Sequence, residues 1–148
     1  MRTLLVFLTL CTTFASAADV EVTAAQKSGW ATYATELQKK VDSVNTTCGA
    51  KLTASYDKST YLTFDPIQDR TQAACQAAVG TLTSVCATEP GKAAVRKLSK
   101  ATCAFSTTGT GVSVNGTELV IKIDPAKSSI VGKAAGSYSW ASALGEVL

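Results

Sequence analysis

The sequence predicts an α+β domain pinned by disulfides, and three patterns carry that reading. Apolar residues recur at helical spacing over two long stretches, 24–46 and 68–86. They alternate with polar residues at 51–64 and again at 112–123, the two-residue period of strands. Four cysteines, Cys48, Cys75, Cys86 and Cys103, follow a segment that reads as an export signal. The predicted order is a long N-terminal helix, a β-hairpin, a disulfide-anchored second helix, a short basic helix, an antiparallel sheet with an Asn-Gly hairpin, and a short C-terminal helix.

The first twenty residues, MRTLLVFLTLCTTFASAADV, begin with the positive charge of Arg2. An apolar run follows from Leu4 to Phe14 and ends at the small-x-small pattern Ala15-Ser16-Ala17. This is the layout of a secretory signal, and the run falls short of the roughly 20 apolar residues needed to cross a bilayer. Residues 1–17 are therefore read as a removed signal and 18–148 as one domain, secreted or periplasmic. Cys11 serves as one more apolar residue of the signal.

The first helix, about residues 24–46, opens with the capping box Thr23-Ala-Ala-Gln26 and carries Trp30, Tyr33, Ala34, Leu37, Val41 and Val44 on one stripe. Cys48-Gly49 closes it, because glycine takes the left-handed conformation that ends helices. Leu52, Ala54 and Tyr56 then alternate with polar residues, Asp57-Lys58-Ser59 breaks the run, and Tyr61 to Phe64 resume it, which predicts a β-hairpin. Asp65-Pro66 stops its second strand.

In the second helix Cys75, Ala78, Val79, Leu82 and Cys86 fall on one face. Eleven steps of about 100° return to within about 20° of the starting direction, so both sulfurs face the core. The helical rise nevertheless separates their Cα atoms by about 16 Å, well beyond the roughly 7 Å a disulfide spans. Cys75 and Cys86 must therefore bond to Cys48 and Cys103. Order along the chain favours Cys48 with Cys75 and Cys86 with Cys103, and the crossed pairing stays open. Zinc is the rival use of four cysteines, but the chain has no histidine and no CxxC pair, so no metal or other cofactor is expected.

Thr88 caps the next segment and Pro90 stands near its first turn, where a missing N–H costs nothing. Ala94, Val95 and Leu98 face inward. Lys92, Arg96 and Lys100, four residues apart, line the other side with Lys97 beside them. Beyond it, Thr102 to Ser106 adds a strand, and Thr-Thr-Gly-Thr-Gly a connection. Val114-Asn115-Gly116-Thr117 predicts a two-residue turn, with Val114 opposite Thr117 and Val112 opposite Leu119. That alternation puts Val112, Val114, Leu119, Ile121 and Ile123 on one face. Ser128 to Gly136 reads as loop, and Trp140, Leu144 and Val147 as the stripe of a terminal helix.

The absence of histidine excludes Ser-His-Asp and Cys-His catalysis. The loop at 107–111 lacks the lysine and the following helix that a phosphate-binding loop requires. A formal charge of +3 is too weak to argue for nucleic acid. The leading expectation is a small exported, non-catalytic binding or envelope-associated module. Lys92, Arg96, Lys97 and Lys100 form its candidate patch for an anionic envelope component or protein partner, although a solvated helix face uses the same residues. The alternative is a secreted hydrolase working through carboxylates alone. Trp30, Tyr33, Tyr56, Tyr61, Tyr138 and Trp140 serve either a ligand groove or the core. Asn45-Thr46-Thr47 and Asn115-Gly116-Thr117 match the N-glycosylation acceptor pattern.

Overall fold

Helix α1, Ala24–Cys48, begins the computed structural model, which describes residues 24–61, 69–124 and 139–148. The export segment 1–17, the Thr23–Gln26 capping box, residues 62–66 of the predicted hairpin and its stop, and the loop 128–136 lie outside the described residues, as do the side chains of Tyr61 and Asp69. The remaining elements are β1 (Thr53–Tyr56), α2 (Lys58–Tyr61), α3 (Asp69–Val85), α4 (Glu89–Arg96), β2 (Lys100–Phe105), β3 (Gly111–Asn115), β4 (Glu118–Ile123) and α5 (Trp140–Val147). Helix and sheet are mixed as the sequence predicts.

The sheet itself is not the antiparallel one the alternation suggested. Its order is β1-β2-β4-β3, with β1, β2 and β4 mutually parallel and β3 alone antiparallel. Parallel neighbours need a crossover, and α2, α3 and α4 provide it between β1 and β2. Among the described residues β1 pairs with β2 alone, so no hairpin partner for it is seen there, and most of the predicted second strand lies outside those residues. After Tyr56 the chain enters a helical turn, because the Asp57 carboxylate accepts from the Ser59 backbone N–H at 3.0 Å and the Ser59 hydroxyl at 2.7 Å. The Asp-Lys-Ser signal marked a real break in the strand, and its side chains cap a turn of helix.

The second hairpin forms, displaced by one residue on each strand. Asn115 pairs with Glu118, Val114 with Leu119 and Val112 with Ile121, so the two turn residues are Gly116 and Thr117. Among the described residues positive φ occurs only at glycines, and Gly116 sits at 61°. A turn with positive φ at its first central residue alone is of type II′, which needs glycine there and leaves Asn115 in the strand. This shift preserves parity. Leu119, Ile121 and Ile123 are buried with Val112 and Val114 packed against them, on the predicted face.

One face of the sheet is the core. Ala101, Cys103 and Phe105 from β2 and the three β4 residues are buried, as are Leu37, Val41 and Val44 of α1, Cys75, Ala78, Val79 and Leu82 of α3, and Leu144 of α5. At the N-terminal end of the α1 stripe the prediction is only half met: Trp30 and Tyr33 are half-buried and Ala34 is exposed. The opposite sheet face carries Thr53, Ser55, Lys100, Thr102, Glu118, Lys122 and Ser113, a mostly polar and partly exposed set with half-buried Ala104 and Val120 among it.

The disulfides take the crossed pairing, Cys48 with Cys86 and Cys75 with Cys103, at Cα separations of 5.5 and 6.0 Å. The favoured pairing assumed that partners lie in chain order, and the topology overturns it. Strand β1 carries the chain back beside α1, so that α3 runs in the same direction as α1. A side chain added at Gly80 would touch Lys40, just as Cys86 meets Cys48 eight residues along α1. Cys75, in the first half of α3, is left facing central strand β2 and Cys103.

Candidate functional site

The four basic residues singled out by spacing are divided between a helix, its C-cap and a strand. Helix α4 ends at Arg96, Lys97 is its C-cap, and Lys100 is the first residue of β2, so the helical stripe of three does not exist. The Leu98-Ser99 connection turns the chain into the sheet instead, with Leu98 buried. The cap at the other end is as predicted. Thr88 accepts from the Gly91 N–H, and Pro90 lies in the first turn.

Three of the four are engaged. Lys92 pairs with Glu89 at 2.9 Å and Lys100 with Glu118 at 3.0 Å. Arg96 donates from Nε to the Cys48 carbonyl at 2.8 Å. That carbonyl closes α1, next to Gly49 at φ 64°, so Arg96 satisfies an orphan acceptor at the negative end of the helix dipole. Lys97 alone of the four has no hydrogen-bond or ion-pair partner among the described residues.

The structure adds a residue that spacing could not find. The connection 49–52 runs beside 96–99: the Thr53 N–H donates to the Ser99 carbonyl at 3.0 Å, and a side chain at Gly49 would meet the Arg96 guanidinium at 3.2 Å. Exposed Lys51 lies in that connection. Lys51, Arg96 and Lys97 thus share one corner at the C-terminal end of α1. No sequence signal marks Lys51, because it belongs to no periodic element.

Five of the described carboxylates hold structural posts. Glu36 pairs with Lys39, Asp42 accepts from Gln38, and Asp57 caps α2. Glu118 accepts from the Thr102 hydroxyl and pairs with Lys100 across the parallel strands, and these two contacts, the hydroxyl first, hold its carboxyl below the ordinary range. Glu89 is lowered in the same direction by its hydrogen bond and charge pairing with Lys92. A catalytic acid working near neutral pH needs the opposite displacement. All four cysteines of the domain are in bridges, and among the described residues no group of three or more acids or cysteines is placed to hold a metal ion.

Of the aromatic candidates Trp30 and Tyr56 pack on one another, and Tyr138 lies outside the described residues. Trp30 meets Tyr56 edge to face at 5.6 Å between centroids, Lys58 lies 5.9 Å above the Trp30 ring, and Gln76 donates to the Tyr56 hydroxyl. Trp140 is half-buried against the core. Beside the 106–110 loop a depression of about 280 Å³ brings Lys122 to the Thr/Gly-rich connection, so β4 contributes the lysine that the run itself lacks. The element after the loop is a strand, and no helix residue lines the depression among the described residues.

No helix among the described residues is long and apolar enough to cross a membrane. Comparison of the chain with protein-family models, with curated proteins and with solved structures found no match in any of the three.

Proposed function

We propose that this chain is a small exported, non-catalytic binding module that meets an anionic envelope component through the basic corner at the end of α1. The observation that carries the reading is that Lys51 and Lys97, exposed and without side-chain partners among the described residues, stand in the two segments that run side by side at the Arg96 cap. Two buried disulfides support the exported setting, since such bridges persist in oxidising compartments. The structural use of Glu36, Asp42, Asp57, Glu89 and Glu118 supports binding over hydrolysis.

Retention of the full chain on vesicles containing an anionic lipid, or on purified anionic cell-wall polymer, tests the corner. Each basic residue near such a surface contributes on the order of 1 kcal/mol, so Lys51→Gln with Lys97→Gln weakens retention roughly 30-fold at low salt. The effect shrinks as added salt shortens the Debye length. Lys122→Gln, at the other end of the sheet, carries an equal loss of charge per site and leaves retention nearly unchanged. Arg96 and Lys100 are poor probes, because their removal also disturbs the α1 cap and the Glu118 pair. Equal retention by wild type and the Lys51/Lys97 variant refutes the assignment.

A further inference from the structure

The two Asn-x-Thr tripeptides occupy opposite environments. Asn45 lies in the last turn and a half of α1, half-buried, with its amide paired to the backbone of one residue: Nδ2 donates to the Leu52 carbonyl at 2.9 Å and Oδ1 accepts from the Leu52 N–H at 2.8 Å. Both contacts use one edge of the amide plane. The Nδ2 proton facing Leu52 is therefore the one on the carbonyl side, and in a trans amide that is the position a substituent carbon takes. A sugar on Asn45 would displace Leu52, which is 2 % exposed, from the end of α1.

Asn115 meets none of these restrictions. It is exposed on the polar sheet face at the tip of β3, its side chain has no hydrogen-bond partner among the described residues, and nothing lies within 4 Å of a side chain built on the adjacent Gly116. Strand β3 is also a sheet edge, where bulk attached to the tip guards against pairing with another chain.

We propose that Asn115 is the residue at which this chain accepts an N-linked glycan, and that Asn45 is not an acceptor in the folded protein. The donor class is a lipid-pyrophosphate-linked oligosaccharide. Nδ2 of Asn115 bonds to C1 of the terminal sugar, the C1–O bond to pyrophosphate breaks, the lipid pyrophosphate leaves with the electron pair, and Nδ2 loses one of its two protons. Thr117 provides the hydroxyl the acceptor pattern requires. In the folded chain that hydroxyl is exposed and lies 2.8 Å from the Ser99 hydroxyl.

The proposal rests on the exported reading only in that the chain must enter a secretory compartment with that donor. The test is secretion of the full-length chain from a eukaryotic cell, then intact-mass and peptide mapping before and after peptide-N-glycosidase, which converts a glycosylated Asn to Asp. Conversion at residue 115 alone is the expected result. Thr47→Ala removes the first tripeptide without touching the Asn45–Leu52 pair and leaves the glycosylated fraction unchanged, whereas Asn115→Gln abolishes it. Wild-type mapping decides the matter even where a variant folds poorly. A secreted chain with no glycan at 115, or a glycan at 45 in protein with both disulfides formed, overturns the proposal, while a chain retained in the cell counts against export instead.

Discussion

Replacing Gly91 by alanine separates local propensity from tertiary packing, because the two predict opposite signs. Gly91 stands in the first turn of α4, and alanine in a helix is favoured over glycine by about 1 kcal/mol. A Cβ at this position, however, would lie 1.9 Å from the Val85 carbonyl oxygen, 2.8 Å from its carbon and 3.1 Å from the Thr88 hydroxyl. An ordinary carbon to oxygen contact is roughly 3.3 Å or more, so the backbone must open by well over 1 Å. Neither side can yield cheaply. Cys86, next to Val85, is bridged to Cys48, and Thr88 holds the N-cap through the Gly91 N–H. Overpacking of this kind costs about 1–3 kcal/mol and loss of the cap about 1 kcal/mol, leaving Gly91→Ala about 2 kcal/mol less stable than wild type. The matched controls are Gly80→Ala in α3, whose new methyl would make an ordinary 3.5 Å contact with Lys40, and Gly145→Ala in α5, where nothing lies within 4 Å. Both gain about 0.5–1 kcal/mol. Urea denaturation of the three variants with the disulfides intact, followed by tryptophan fluorescence, measures the differences. A Gly91→Ala protein as stable as wild type refutes the reasoning.

The two bridges close loops of 38 and 28 residues, so the chain-entropy model gives about 3.9 kcal/mol for Cys48–Cys86 and about 3.6 kcal/mol for Cys75–Cys103. Paired alanine variants that lose under 1 kcal/mol, or a non-reducing peptide map linking 48 to 75, would contradict this arrangement. The lowered Glu89 and Glu118 carboxyls give the stability curve an acid limb: between their folded values and the ordinary 4.5 the unfolded chain binds more protons, so this contribution is complete above 4.5 and is lost as pH falls through the folded values. Glu89 is exposed and Glu118 only half-buried, so the effect is small. A Glu89→Gln/Glu118→Gln protein whose acid limb overlays that of the wild type shows the pairs to be without consequence.

Most of what the sequence determined by itself is local or set by parity. The α3 face from Cys75 to Cys86, the exclusion of a bond between those two cysteines, the Thr88 cap and the buried face of β4 each follow from spacing within a few residues, where helical rise or strand alternation leaves one solution. The hairpin face survived an error in the turn because moving a register by two residues returns every side chain to its side. Only the tertiary structure decided how these pieces are joined. Strand β1 carries no mark of its partner, since backbone ladder bonds are blind to sequence, and pairing it with β2 in parallel reversed the direction of α3 and so crossed the disulfides. The basic corner was hidden for the same reason: the segments that carry Lys51 and Lys97, forty-six residues apart in sequence, run side by side only because β1 pairs with β2.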